Sequence, residues 1–167
     1  MTTTEPTIDD RLFPILERVP DPEVPVLTVL DLGIVRHAEV RADGAAFVQI
    51  TPTYSGCPAM NMIEVQIKAA LQEAGFKKMV VETVLEPAWT TDWMSEAGKQ
   101  KLKDYGIAPP LAGNVDKHAL FGEARTVPCP NCDSEDTRMV SQFGSTACKA
   151  HYVCNTCLEP FDYFKCL

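Results

Sequence analysis

At 167 residues and 18.4 kDa, with 46% hydrophobic and 23% charged residues, the chain is the size of one ordinary domain, or of one small domain plus a stapled module. Its formal net charge of -8 argues against a nucleic-acid partner, because gripping phosphate needs a basic surface. No apolar stretch approaches the roughly 18 residues of a membrane span, and the Met-Thr-Thr-Thr-Glu-Pro start lacks a basic region followed by an apolar run, so no membrane contact and a cytoplasmic location are expected.

Residues 8–19 read as a short helix, with Pro14 arguing for a late start or a kink. Pro20-Asp21-Pro22-Glu23-Val24-Pro25 places three prolines in six residues and is an extended or turning loop. It leads through Asp31-Leu32-Gly33 into a strand over Ile34–Val40. Asp43-Gly44 then marks a hairpin turn into a second strand, Ala46–Thr51, where Val48 and Ile50 alternate with polar neighbours. In Pro58–Ala74 the spacing of Ile63, Ile67 and Leu71 predicts a helix, with Pro58 in its first turn and Gly75 past its end. Met79–Leu85 follows as a β-branched strand, joined by a helical crossover and so parallel to a neighbour. The expected order is α-β-β-α-β, a small two-layer α+β sandwich.

Residues 87–106 read as a loop and then a helix, capped by Thr91 or Asp92 and stopped by Gly106. The irregular stretch 107–127, which includes Pro109-Pro110 and Gly113-Asn114, is expected to be a linker. The remainder, 128–167, is dominated by cysteine: six of the seven (Cys129, Cys132, Cys148, Cys154, Cys157 and Cys166) fall there. A segment that short cannot bury much core and needs ligand bonds to hold it.

Cys129-Pro130-Asn131-Cys132 and Cys154-Asn155-Thr156-Cys157 form a C-x2-C pair separated by 21 residues. Each such turn lets two thiolates converge on one ion, and two turns supply the four soft ligands of a tetrahedral site. Cys129, Cys132, Cys154 and Cys157 are therefore expected to hold a structural metal, zinc first, across a hairpin of strands over Thr137–Phe143 and Ala150–Val153. An iron–sulfur cluster would use the same thiolates, and the spare thiols Cys148 and Cys166 keep that reading open beside the simpler one of small buried hydrophobes. The tail carries five acids (Asp133, Glu135, Asp136, Glu159, Asp162) against three bases (Arg138, Lys149, Lys165), which disfavours a nucleic-acid-binding ribbon.

The seventh cysteine, Cys57, lies in Thr51-Pro52-Thr53-Tyr54-Ser55-Gly56-Cys57-Pro58, where a strand and loop hand over to a helix. Unpaired amides at a helix start favour negative charge, so the spacing points to a thiol of lowered pKa able to act as ligand or nucleophile, against a buried structural thiol at a tight turn. Asp21, Glu23 and Asp31 are candidates to lie near it, orienting it or adding an oxygen ligand; loop capping is their simpler role. Nucleophilic catalysis would need a general base, and none of His37, His118 and His151 sits in a recognisable catalytic context.

Asp21-Pro22-Glu23-Val24-Pro25-Val26, Asp31-Leu32-Gly33-Ile34-Val35 and the Cys57 loop resemble the small domain of SufT-like iron–sulfur assembly proteins, in which the counterpart of Cys57 is associated with iron–sulfur handling. The Cys57 loop through Ala59, Pro87-Ala88-Trp89-Thr90-Thr91-Asp92-Trp93, Tyr105-Gly106-Ile107-Ala108-Pro109-Pro110, Phe143-Gly144-Ser145-Thr146-Ala147-Cys148-Lys149-Ala150 and Glu159-Pro160-Phe161-Asp162-Tyr163-Phe164-Lys165-Cys166 are similar to the PaaD family of the bacterial phenylacetyl-CoA epoxidase system. That resemblance runs from about residue 8 to the end. It implies a SufT-like domain over 1–106, the linker 107–127, and a four-cysteine zinc ribbon over 128–167.

Functionally it implies an accessory protein of a multicomponent oxygenase that epoxidises the ring of phenylacetyl-CoA, with a diiron centre in the oxygenase and flavin and an iron–sulfur cluster in its reductase. Cys57 would hold iron or a cluster transiently, while the ribbon docks epoxidase components or iron–sulfur assembly proteins. The alternative is an integral oxygenase or electron-transfer subunit with a cluster in its tail. A homodimer is a further possibility, and Trp89, Trp93, Phe161, Tyr163 and Phe164 are either docking anchors or core.

Overall fold

A computed structural model describes residues 5–111 and 126–165. These divide into two compact units, one running to Trp89 and including Trp93–Ser95, the other comprising Thr90–Asp92 and the described residues from Glu96 onward.

The first unit is a four-stranded sheet, β1 (Thr7–Ile8), β2 (Val35–Val40), β3 (Ala46–Ile50) and β4 (Met79–Thr83), in that spatial order, with helices α1 (Phe13–Leu16) and α2 (Ala59–Glu73). β2 and β3 are an antiparallel hairpin, and β4 runs parallel to β3 after the α2 crossover, as expected. The turn works because Gly44 takes φ +80, which only glycine adopts freely, while Asp43 Oδ1 accepts the Ala45 N–H at 3.1 Å. A register shift between Val35 and His37 lets Val35 and Ala38, three residues apart, both turn into the core. Ile63, Ile67 and Leu71, the apolar stripe of α2, are buried as well, all 2% exposed or less. Gly75 ends that helix at φ +97, and Phe76 N–H returns to the Leu71 carbonyl.

The N-terminus departs from expectation. Only Phe13–Leu16 is helical, because Pro14 has no N–H to continue a helix across it and belongs in a first turn. Thr7–Ile8 instead extends as β1, parallel to His37–Ala38 of β2.

Gly33 shows why Asp31-Leu32-Gly33 needs its last residue. It sits at φ +66, and an added Cβ would come within 2.1 Å of the Trp93 carbonyl oxygen. Trp89 is core, its indole N–H donating to the Leu32 carbonyl at 2.8 Å, and Trp93 lies under the Arg36 guanidinium, 3.6 Å from the ring centre.

The second unit opens with a short 3-10 turn, Thr91–Trp93 (its last residue counted with the first unit), and then α3 (Glu96–Asp104), which starts later than a Thr91 or Asp92 cap implies. Its sheet has the order β5 (Ile107–Ala108), β8 (Pro160–Phe164), β7 (Lys149–Cys154), β6 (Thr137–Ser141). The expected β6–β7 hairpin is present. Ile107–Ala108 is a strand, where a linker over 107–127 was expected, and it pairs in parallel with Asp162–Tyr163. Residues 112–125 of that stretch lie outside the described residues. β8 places Phe161 and Tyr163 in a core with Ala108, Val127, Ala150, Tyr152, Cys129 and Cys154, so these two aromatics are packing residues. Phe164 is likewise buried.

Candidate metal centre and the Cys57 loop

Two reverse turns build the cluster. In the first, Asp133 N–H bonds to the Cys129 carbonyl at 2.9 Å; in the second, the Thr156 and Cys157 N–H groups point at Cys154 Sγ, at 3.4 and 3.5 Å. The residue after each second cysteine, Asp133 and Leu158, adopts positive φ, +58 and +65. The turns are stitched together by Ser134 Oγ to Thr156 Oγ1 at 2.7 Å and by Asn155 Nδ2 to Asp136 Oδ1 at 2.7 Å.

The four sulfurs of Cys129, Cys132, Cys154 and Cys157 all lie within 4.8 Å of one another, with Cys129–Cys157 at 3.7 Å and Cys132–Cys154 at 3.6 Å. A tetrahedral ion with bonds of about 2.3 Å separates its sulfurs by about 3.8 Å, so this donor set fits one thiolate-bound ion. Cys129 and Cys154 are buried, Cys157 half-buried and Cys132 exposed. The Cys157 N–H, opposed by burial and helped by the Thr156 N–H, holds the Cys154 thiol down to about 6. For Cys132 the Ser134 N–H pulls downward, but burial and proton sharing with the neighbouring thiols push it up to about 12. Several thiolates this close ionise together only around a cation.

Cys57 sits half-buried just before α2, in a turn where its own N–H bonds to the Tyr54 carbonyl at 3.2 Å. The helix start does aim a donor at it, the Ala59 N–H, but burial outweighs this and raises the thiol pKa; the negative charges of Glu23 and Asp21 add to the rise, and a hydrogen bond with Tyr54 opposes it. The expected lowering is thus reversed. Asp21 Oδ1 also accepts the Glu23 and Val24 N–H groups at 2.8 and 2.7 Å, so the proline-rich loop is folded around it. Asp31 is engaged elsewhere: its carboxylate accepts Thr28 N–H, Thr28 Oγ1 and Ser95 Oγ at 3.0–3.1 Å.

Residues 9–84 match the model of the iron-sulfur cluster assembly protein family, and residues 114–165 that of the PaaD zinc beta ribbon domain. Over its full length the chain is 45% identical to a protein of Escherichia coli (strain K12), spanning 98% of it, whose name marks it provisionally as the D component of a 1,2-phenylacetyl-CoA epoxidase. The chain belongs to the PaaD family of phenylacetyl-CoA epoxidase proteins. A Porphyromonas gingivalis protein named Fe-S protein maturation auxiliary factor is 34% identical over 56% of the chain and 90% of its own length. The crystal structure of a DUF59 domain from Bacillus anthracis superposes with a TM-score of 0.52 at 28% identity, covering 56% of this chain and 89% of that one.

The other candidates of this PaaD-family chain are placed as follows. Cys148 is buried, 3.1 Å from Thr146 Oγ1, and is not one of the four clustered sulfurs. Cys166 and His118 lie outside the described residues. His151 Nδ1 faces Asp162 Oδ1 at 3.2 Å, and His37 lies beside the Phe47 ring, 6.0 Å between centres. Sequence reasoning missed Tyr54 as a partner of Cys57, although its place three residues upstream in a turn was a usable signal. It also missed the positive φ of Asp133 and Leu158, which no glycine marks. No helix among the described residues is long and apolar enough to cross a membrane.

Proposed function

We propose that this PaaD-family chain is a non-catalytic accessory component of a phenylacetyl-CoA epoxidase system, and that Cys57 transiently holds iron or an iron–sulfur cluster on its way to a client centre. The observation that carries this reading is the setting of Cys57: a half-buried thiol with a backbone N–H aimed at it and the Glu23 and Asp21 charges acting on it. Burial and the two carboxylates raise the thiol pKa while the site holds only protons. The carboxylates favour a bound cation, and then the thiolate, when a metal ion arrives.

Zinc is the ion proposed for Cys129, Cys132, Cys154 and Cys157, where it would cross-link two turns of a module with a small core. The redox alternative, a cluster in the tail, is disfavoured, because sulfurs this close suit one ion and a cluster sets its cysteine pairs farther apart. The proposed partners are the other epoxidase components or iron–sulfur assembly proteins, in the cytoplasm, where thiols stay reduced.

The test is anaerobic purification of wild type and Cys57→Ala, with zinc, iron and sulfide assayed and the epoxidase matured alongside each. Cys57→Ala is expected to keep one zinc and to leave the epoxidase short of iron. Equal iron loading with both proteins would refute the carrier role.

A further inference from the structure

We infer that the tips of the two metal-binding turns, centred on Leu158, form the surface by which this chain grips a protein partner that offers an apolar socket rimmed by basic side chains. The inference rests on the accessory-component reading above and names its contact surface.

Leu158 follows the last cysteine of the cluster and holds φ +65, in the left-handed region that leucine enters only at a cost and glycine enters freely. Asp133, its counterpart on the first turn, is also at positive φ, but aspartate tolerates that region better and its carboxylate pairs with Lys103 at 2.6 Å. Leu158 has no such compensation among the described residues. It is 75% exposed, the most exposed of the large hydrophobic residues among those described. Two separate costs, an unfavourable backbone and a leucine left in water, are borne by one residue at the tip of a turn where glycine would remove both.

The surroundings indicate what covers it. Asn131, Cys132, Asp133, Glu135, Asp136, Asn155, Thr156 and Glu159 are all at least partly exposed, and the Ser134–Thr156 and Asp136–Asn155 bonds tie the two tips into one surface. Of the three bases in the tail, Lys149 and Lys165 are 7% and 4% exposed, Lys149 turned to Asp162 and Lys165 to the Gln142 carbonyl oxygen and the Phe143 ring. Only Arg138 remains on the outside. With Lys103 set against Asp133, the exposed tip still carries Glu135, Asp136 and Glu159 against Arg138, a net acidic surface. An apolar knob in an acidic field fits a basic protein surface and repels anionic lipid and nucleic acid.

The experiment uses the zinc-loaded full chain and the purified remaining components of the epoxidase, with association followed by interferometry at low and high salt. Leu158→Gly is expected to weaken association at least tenfold while keeping one zinc and melting no lower than wild type. Leu158→Met should remain within threefold, and Val140→Thr, at an exposed apolar position on β6, should bind as wild type does. High salt should weaken wild-type binding. Wild-type affinity in Leu158→Gly, or an equal loss in Val140→Thr, would overturn the surface while leaving the accessory-component reading intact. Failure of wild type to bind any epoxidase component would remove that reading and this surface with it. Self-association of the chain, or capture by anionic vesicles, lost in Leu158→Gly without any effect on an epoxidase component would overturn the surface alone.

Discussion

At Cys57, burial and two carboxylates act together against the helix-start N–H, which leaves the thiol protonated at neutral pH. Because negative neighbours disfavour the thiolate, Glu23→Gln lowers the pKa. Alkylation by iodoacetamide at pH 7.5 should then run faster than in wild type, with the midpoint of its pH profile displaced downward; an unchanged profile would remove Glu23 from the site. Gly33→Ala should cost about 2 kcal/mol or more, since it adds a left-handed alanine to a 2.1 Å clash with the Trp93 carbonyl, and urea unfolding measures it. Leu158→Gly should instead stabilise the ribbon by up to about 1 kcal/mol, because it releases an unfavourable φ without removing buried surface. The candidate site was partly legible here: Asp21 and Glu23 precede a turn and return to Cys57. Asp31 shares their residue type, but its loop directs its carboxylate to Thr28 and Ser95.

Among the elements, α2 was readable because its Ile63, Ile67 and Leu71 repeat fits a single helical period and its ends carry Pro58 and Gly75. Ile67→Ala, at a position with no exposure, should cost about 2–5 kcal/mol, seen as a lowered denaturation midpoint of the first unit. The β2–β3 hairpin was readable from Asp43-Gly44. The short strands were not. Two residues each, Thr7–Ile8 and Ile107–Ala108, carry no period, and their strand character exists only because β2 and β8 offer free edges to pair with.

At the scale of the whole molecule, the metal proposed for the four cysteines is the term that separates the two units. Structural zinc contributes an apparent ~10–16 kcal/mol in comparable modules, more than a small core supplies on its own. Chelation is therefore expected to abolish amide protection in β6, β7 and β8 while the first unit, whose core contains no ribbon cysteine, keeps its own. Hydrogen exchange with and without chelator checks this, and equal protection in both states would show that the ribbon folds without an ion.

By itself the sequence determined the four-cysteine cluster, since paired C-x2-C turns can satisfy their thiols in few ways, and it determined the α2 crossover, since helical period and turn residues are local properties. Tertiary structure decided the rest. The sign of the Cys57 shift depends on burial and on carboxylates more than 30 residues away, and the acidity of the ribbon tip depends on which lysines fold inward. Burial and charge proximity are sums over neighbours in space, and local patterns in a chain do not carry them.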